Sequence, residues 1–436
     1  MAQPQNPGFK PLEYWKPPKP VRHFRSASKT LSVILPKIGI PTSKVVYSPS
    51  VYSSYPKPSN PDLDDKRISI STVEMAKEYD NLNSQKRPWY DAKGWGKKAW
   101  IGIFIAFAII VIVVVVPSVV VTRNNRYPDY TRLNYTLTDT YSGENFFDNF
   151  NYFSGPDPTE GFVKYVDQAT AQQYNLTYAS SRSSIIRVDT TLTNTSSVPN
   201  TSTGRMSIRV SSKKQFGNNN LFIFDVKHTP LGCAVWPALW LTDDNNWPDN
   251  GEIDLYEAIN VVGDHPNQIT LHTTKGCVMN VKRKQTGKAL QKTCLNSTNV
   301  NAGCGVDPGP VTFGQTYNND GGGIMAMELR REGIRAWQFR RSSIPSDITN
   351  GTPDPSTWGT ATADFPSTNC DIDTHFRNQS IILNISLCGT WAGRDYYKFA
   401  DTCPGSCEDQ VAANNTAFRD AYWEFGTFSV YNSGAR

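Results

Sequence analysis

Cysteine is missing from the first 232 residues of this 436-residue chain, and no Asn-x-Ser/Thr sequon starts before Asn134. Charge is missing from residues 100–121, WIGIFIAFAIIVIVVVVPSVVV. Histidine is scarce, with five in all, and His228, His265 and His375 stand too far apart in sequence to suggest a zinc centre. The chain also lacks a long amphipathic helix, an internal repeat and any strand–helix alternation. Those absences exclude a helical bundle, a solenoid and a doubly wound α/β fold.

What is present is divided sharply along the chain. Residues 1–99 hold seventeen Lys and Arg against eight Asp and Glu, whereas residues 100–436 hold twenty-seven against thirty-one. Positive charge confined to one end does not read as a nucleic-acid surface, so no nucleic-acid partner is expected. The uncharged run between the halves would rise about 33 Å as a helix, enough for a bilayer core. It is too long and too far from the start for a cleaved signal peptide, which makes it a signal anchor. Lys86, Arg87, Lys93, Lys97 and Lys98 precede it, against Arg123, Arg126 and Arg132 after it, so the N-terminus is expected on the cytosolic side. All nine sequons (Asn134, Asn175, Asn194, Asn200, Asn296, Asn350, Asn378, Asn384, Asn414) and all eight cysteines, Cys233 to Cys407, follow the run. Glycosylation and an oxidising compartment both suit a lumenal or extracellular C-terminal part. The reading is a single-pass type II membrane protein of the secretory pathway or cell surface. Eight cysteines allow 105 pairings, and the sequence does not choose among them.

Four segments follow. Residues 1–99, with twelve prolines in the first sixty-one and little apolar content, read as a disordered basic cytosolic tail. Residues 100–121 are the anchor and 122–133 a stalk. Residues 134–436 read as β throughout, with short branched or aromatic runs at 184–188, 205–210, 221–226, 235–241, 253–258, 268–273, 325–330, 336–340, 381–386 and 427–431. Gly, Pro, Asn and Asp punctuate them, and some three hundred residues of such strands predict an all-β, two-sheet sandwich.

One stretch concentrates chemistry: WPALWLTDDNNWPDNGEIDLYE, residues 236–257, followed by QITLHT, 268–273. On a regular strand Glu252 and Asp254 share a face, while Glu257 points the other way. One extra residue in a β-bulge would return Glu257 to their side. Three neighbouring acids repel, which raises the proton affinity of at least one of them. Glycosidases need such a pair, one carboxyl to protonate the leaving oxygen and one carboxylate to attack. Alone, Glu-x-Asp-x-x-Glu is also the pattern of an exposed acidic strand edge or a calcium site. Trp236, Pro237, Trp240, Trp247 and His272 around it favour a sugar cleft.

This stretch resembles glycoside hydrolase family 16, in particular its fungal laminarinase-type endo-1,3(4)-β-glucanases. The likeness extends over about residues 135–431, through DTYSGENFFDNFNYF, GPDPTEGFVKYVD, GCAVWPALWL, NWPDNGEIDLYEAIN, NQITLHTTKGC, NAGCGV, PDPSTWGTATADF, FRNQSIILNISLCGTWAG and FRDAYWEF. It implies a concanavalin A-like β-jelly-roll with a concave cleft and a retaining double displacement. Strand spacing does not say which glutamate is which; the resemblance makes Glu252 the nucleophile, Asp254 its electrostatic partner and Glu257 the acid/base. Tyr256 and Ala258 depart from the aliphatic residue and glycine more usual there, and Tyr256 falls at the expected bulge. The resemblance implies no required cofactor and no catalytic metal, and allows a structural calcium on the convex face.

Sugar contacts are expected from aromatic faces, which stack on pyranose rings. By resemblance these are Trp240, Trp247 and Trp391, with His272 beside the acids; Trp236 shares a strand face with Trp240 but reads as structural. The expected substrate is a β-glucan with β-1,3 links, alone or mixed with β-1,4 or β-1,6. Hydrolysis, transfer to a second sugar through the same intermediate, and plain glucan binding stay open, although binding alone would not need both glutamates.

Overall fold

A computed structural model describes residues 95–124, 126–192 and 204–434. The expected basic tail up to residue 94 and the sequons Asn194 and Asn200 lie outside the described residues. One helix long and apolar enough to cross a membrane occurs among the described residues: Lys97–Thr122, 26 residues, within which an 18-residue stretch has mean hydropathy 3.3 and is not buried. It runs as Lys97–Ile110, a π-turn at Val111–Val115, and Val116–Asn124. The π-turn ends two residues before Pro117, which has no N–H to offer the regular ladder. Ser118 and Thr122 donate their hydroxyls back to Val114 O and Ser118 O at 2.6 and 2.9 Å, so these polar groups need no outside partner.

The C-terminal part is the expected jelly-roll sandwich of two eight-stranded antiparallel sheets. The outer sheet runs in the order Ala363–Pro366, Gly333–Arg340, Gly323–Arg330, Asn220–His228, Tyr422–Asn432, Ser184–Arg187 and Thr177–Ala179, with Thr136–Tyr141 also on Tyr422–Asn432. The inner sheet runs Lys288–Ala289, Val306–Asp307, Gln268–His272, Glu252–Glu257, Val235–Thr242, Gln379–Leu387, Arg209–Phe216 and Phe150–Tyr152. Nearly every run picked out by branched and aromatic residues forms a strand. The run 205–210 instead splits into Arg205–Ser207, which leaves the inner sheet to pair with Val163–Tyr165, and the start of Arg209–Phe216.

Period-two alternation builds the core. Phe222, Phe224 and Val226 of the outer sheet face Leu239, Leu241, Ile253, Ile269, Leu271, Ile381, Leu383 and Ile385 of the inner one, all buried. The alternate residues of the inner sheet face the open side, where Ala238, Trp240, Ile382 and Trp247 form a separate small cluster. The four disulfides, which spacing left open, are Cys233–Cys403, Cys277–Cys370, Cys294–Cys304 and Cys388–Cys407.

The segment expected as a stalk is docked on the outer sheet from Arg126 onward. The Tyr127 and Tyr130 hydroxyls reach the buried Asp364 carboxylate at 3.1 and 3.4 Å, and the Tyr135 hydroxyl donates to buried Glu328 at 2.8 Å. Lys284 stands 4.2 Å above the Tyr127 ring, and Arg335 4.1 Å above that of Tyr130. Gly333 leaves the room this needs, because a Cβ there would come within 2.0 Å of the Tyr130 hydroxyl.

Candidate active site

The strand Glu252–Glu257 lies in the middle of the inner sheet, and its pairing is irregular where the sequence required it. Asp254 opposes Trp240 and Tyr256 opposes Leu239, so one residue, Leu255, is extra. Leu255 and Tyr256 both turn into the core. Two successive inward side chains are the signature of the bulge, and they return Glu257 to the face of Glu252 and Asp254. Tyr256 does not disturb the site, for its hydroxyl shares a 2.7 Å hydrogen bond with that of Tyr317 inside the sandwich. Just before the strand, Gly251 has φ +82°, and a Cβ there would meet His375 O at 2.2 Å; only glycine brings the chain into Glu252 along this path.

Glu252 and Glu257 open into one cleft of about 500 Å³, lined also by Trp236, Trp247, His272 and Trp391. Each glutamate receives one indole N–H. Trp247 Nε1 donates to Glu252 Oε2 at 2.7 Å, and Trp236 Nε1 donates to Glu257 Oε1 at 2.8 Å. Asp254, fully buried between them, has its Oδ2 3.3 Å from His272 Nε2. Burial, and next the charge of Asp254, push the proton affinities of both Glu252 and Glu257 well above the usual carboxyl range. The charge of Glu252 adds to the rise at Glu257. For His272, burial opposes the charge, but the Asp254 contact and the charges of Glu252, Asp254 and Glu257 outweigh it and lift its pKa to about 10. The arrangement can therefore hold a proton on the glutamate pair while a charged His272 contacts Asp254.

The aromatic residues divide. Trp247 sits in the loop between two strands, with a cis peptide to Pro248. Asp243, buried at the loop's root, accepts from the side chains of Gln215, Asn246 and Asn250 and from Asn245 N, and so fixes that loop. Trp391 lines the cleft edge-on to Trp236, ring centroids 5.9 Å apart. Trp240 lies on the floor of the cleft, with Arg209 over its ring at 5.1 Å and its N–H on Asn384 Oδ1 at 2.8 Å. Trp236, read from sequence as structural, holds Glu257; the strand period gave its face but not its hydrogen-bond target. Asn301, which the sequence did not single out at all, approaches His272 Nδ1 with its Oδ1 at 3.0 Å. A larger open groove of about 780 Å³ runs past Arg331, Asp371 and Asp373 on another part of the surface, away from both glutamates. Among the described residues no three His, Cys, Asp or Glu side chains gather to hold a metal ion.

Residues 150–431 match the family model of an XgeA-like, catalytic GH16 domain. The chain belongs to glycoside hydrolase family 16. It is 44% identical over 311 residues to a probable glycosidase of Schizosaccharomyces pombe, covering 70% of this chain and 71% of that one. It is 35% identical over 312 residues to a probable endo-1,3(4)-β-glucanase of Aspergillus fumigatus, covering 69% of this chain but only 46% of the relative. The match thus spans under half the length of that Aspergillus protein. Among solved structures, GH16 laminarinase 16A from Phanerochaete chrysosporium, holding 6-O-glucosyl-laminaritriose in donor and acceptor sites, superposes with a TM-score of 0.65 at 43% identity, over 69% of this chain and all of that one. An elongating GH16 β-1,3-glucosyltransferase superposes with a TM-score of 0.63 at 36% identity, over 68% and 100%. As a member of family 16, the protein is an enzyme of a glycoside hydrolase family, and it is similar to relatives named endo-1,3(4)-β-glucanases.

Proposed function

We propose that the protein is a retaining endo-β-glucanase that hydrolyses β-1,3-linked glucan by double displacement. Glu252 attacks the anomeric carbon while Glu257 gives its proton to the leaving oxygen; Glu257 then takes a proton from the water that releases the glycosyl enzyme. Asp254, with His272 behind it, orients the pair. The observation that carries this reading is the single bulge at Leu255, which turns Glu252, Asp254 and Glu257 toward one indole-lined cleft. The raised proton affinity of Glu257 matches an acid that must be protonated at neutral pH. The laminarinase that holds β-glucan oligosaccharides at 43% identity supports the substrate class.

Transfer to a sugar acceptor is the second reading, favoured by the 36%-identical elongating glucosyltransferase. Both readings share the glycosyl enzyme and differ in whether water or a saccharide hydroxyl resolves it. Incubating the full chain in detergent with laminari-oligosaccharides and sizing the products separates them: shorter reducing products alone mean hydrolysis, and products longer than the substrate mean transfer. Release of no product from laminarin or mixed-linkage glucan would overturn both.

The chain is further proposed to be a type II membrane protein with the segments given above, its cleft on the lumenal or outer side. The apolar helix Lys97–Thr122 and the placement of every cysteine in a disulfide after it support this. Protease added to intact cells should spare the N-terminal tail; its removal from outside would reverse the orientation.

A further inference from the structure

Along one wall of the cleft, the loop from Cys294 to Cys304 is closed by its own disulfide and pressed against His272. It rejoins the inner sheet through Cys304 N to Leu271 O at 3.1 Å. Gly303, at φ +58°, lies so close that a Cβ there would stand 2.7 Å from His272 Cε1. Asn299, Val300 and Asn301 follow one another in the left-handed region, φ 51°, 57° and 59°, a run that side chains with a Cβ rarely sustain. At the end of that run Asn301 sets its amide oxygen 3.0 Å from His272 Nδ1, while the other ring nitrogen faces Asp254 at 3.3 Å. With the Asn301 amide in this orientation both ring nitrogens face an oxygen, the arrangement that suits a ring with hydrogen on each nitrogen, an imidazolium.

From this geometry we infer that Asn301 is a positioning residue for the glycosidic reaction: its amide oxygen holds His272 as the doubly protonated cation behind Asp254, Glu252 and Glu257. The inference rests on the glycosidase reading of that cleft. The groups that face the ring are those three acids and Asn301; the raised affinity of His272 for its proton agrees with the geometry. A cation fixed here favours the ionised form of Glu252 before attack. Gly303 closes on Cε1 and the amide oxygen on Nδ1, both in the loop that the disulfide closes.

Two substitutions separate this role from mere loop stability. Asn301→Gly removes the oxygen while suiting the left-handed backbone, and Asn301→Asp keeps an oxygen acceptor in a residue that also tolerates that region. The full chain in detergent, with histidine 15N-labelled, reports the ring protons directly, His272 being assigned by its loss in His272→Gln. In the unsubstituted protein and in Asn301→Asp both nitrogens should stay protonated through pH 8. In Asn301→Gly the ring should give up a proton about one pH unit lower than in the unsubstituted protein, with kcat on laminarin falling about tenfold and KM changing less than twofold. A neutral His272 at pH 7 in the unsubstituted protein would mean that Asn301 presents its NH2 group instead, and the inference fails; Asn301→Asp would then be as impaired as Asn301→Gly. Equal kcat for Asn301→Gly and the unsubstituted protein also overturns it. Glu252→Ser is the control. If that variant cleaves normally, the glycosidase reading itself is wrong; if it is inactive while Asn301→Gly is unaffected, only the inference falls.

Discussion

The two indole donors offer a way to ask which glutamate does which job without removing either. Trp236→Phe deletes the N–H that Glu257 Oε1 receives at 2.8 Å and keeps most of the ring that packs edge-on to Trp391. A hydrogen bond to a carboxylate favours its charged form, so losing the donor raises the pKa of Glu257 further. A hydrogen bond to a charged group is worth about 1.5–3 kcal/mol, and about 1.4 kcal/mol moves a pKa by one unit. Water in the open cleft replaces part of the bond, so the expected shift is about one unit. Because Glu257 must be protonated in the first step, the alkaline limb of kcat/KM should move up by that amount and the acid limb should stay. Trp247→Phe deletes the 2.7 Å donor to Glu252 and should do the reverse, moving the acid limb up by about one unit, because Glu252 must be ionised to attack. The assay is the pH profile of kcat/KM on laminari-oligosaccharides between pH 4 and 10. If Trp236→Phe moves the acid limb, the two roles are exchanged. If neither substitution moves either limb, the indoles do not tune the pair and the assignment loses its electrostatic support.

Glu257→Gln should slow poor leaving groups by two or more orders of magnitude and activated aryl leaving groups much less, since only the former need a proton; kcat/KM across a series of aryl glucosides checks this, and equal loss along the series refutes it. Asn384 stands in a sequon, yet its side chain is buried on the cleft floor between Trp240 Nε1 and the Tyr165 hydroxyl, so glycopeptide mass spectrometry should find it unmodified while the exposed Asn134, Asn175 and Asn350 remain candidates. Gly251→Ala should destabilise the fold by about 2–4 kcal/mol, through the clash with His375 O and the positive φ, read as a lower denaturant midpoint; an unchanged midpoint would show that the turn can relax.

The sandwich was legible because its strands alternate cleanly and its turns are marked by Gly, Pro and Asn. The acidic trio was legible for a subtler reason: Glu252 and Asp254 obey the strand period, Glu257 breaks it, and one bulge mends the break. What stayed hidden was set by distant contacts. Asn301 is 29 residues from His272 in sequence and reaches it only because Cys294–Cys304 closes a loop that Gly303 lets approach. Trp236 lay on the expected face, but periodicity reports a direction and not a partner. The docking of Tyr127 and Tyr130 was invisible for the same reason, since Asp364 lies more than two hundred residues away.

That docked segment has a mechanical consequence. Between the helix end at Asn124 and the anchored phenol of Tyr127 there are three peptide steps, at most about 10 Å of chain. If the helix crosses a bilayer as proposed, the enzyme is not a float on a long mooring line but a fixture, working at one altitude above the lipid. Glucan would have to be delivered to that level, and lengthening the link by a flexible insert would change which polymers can be reached without altering the chemistry.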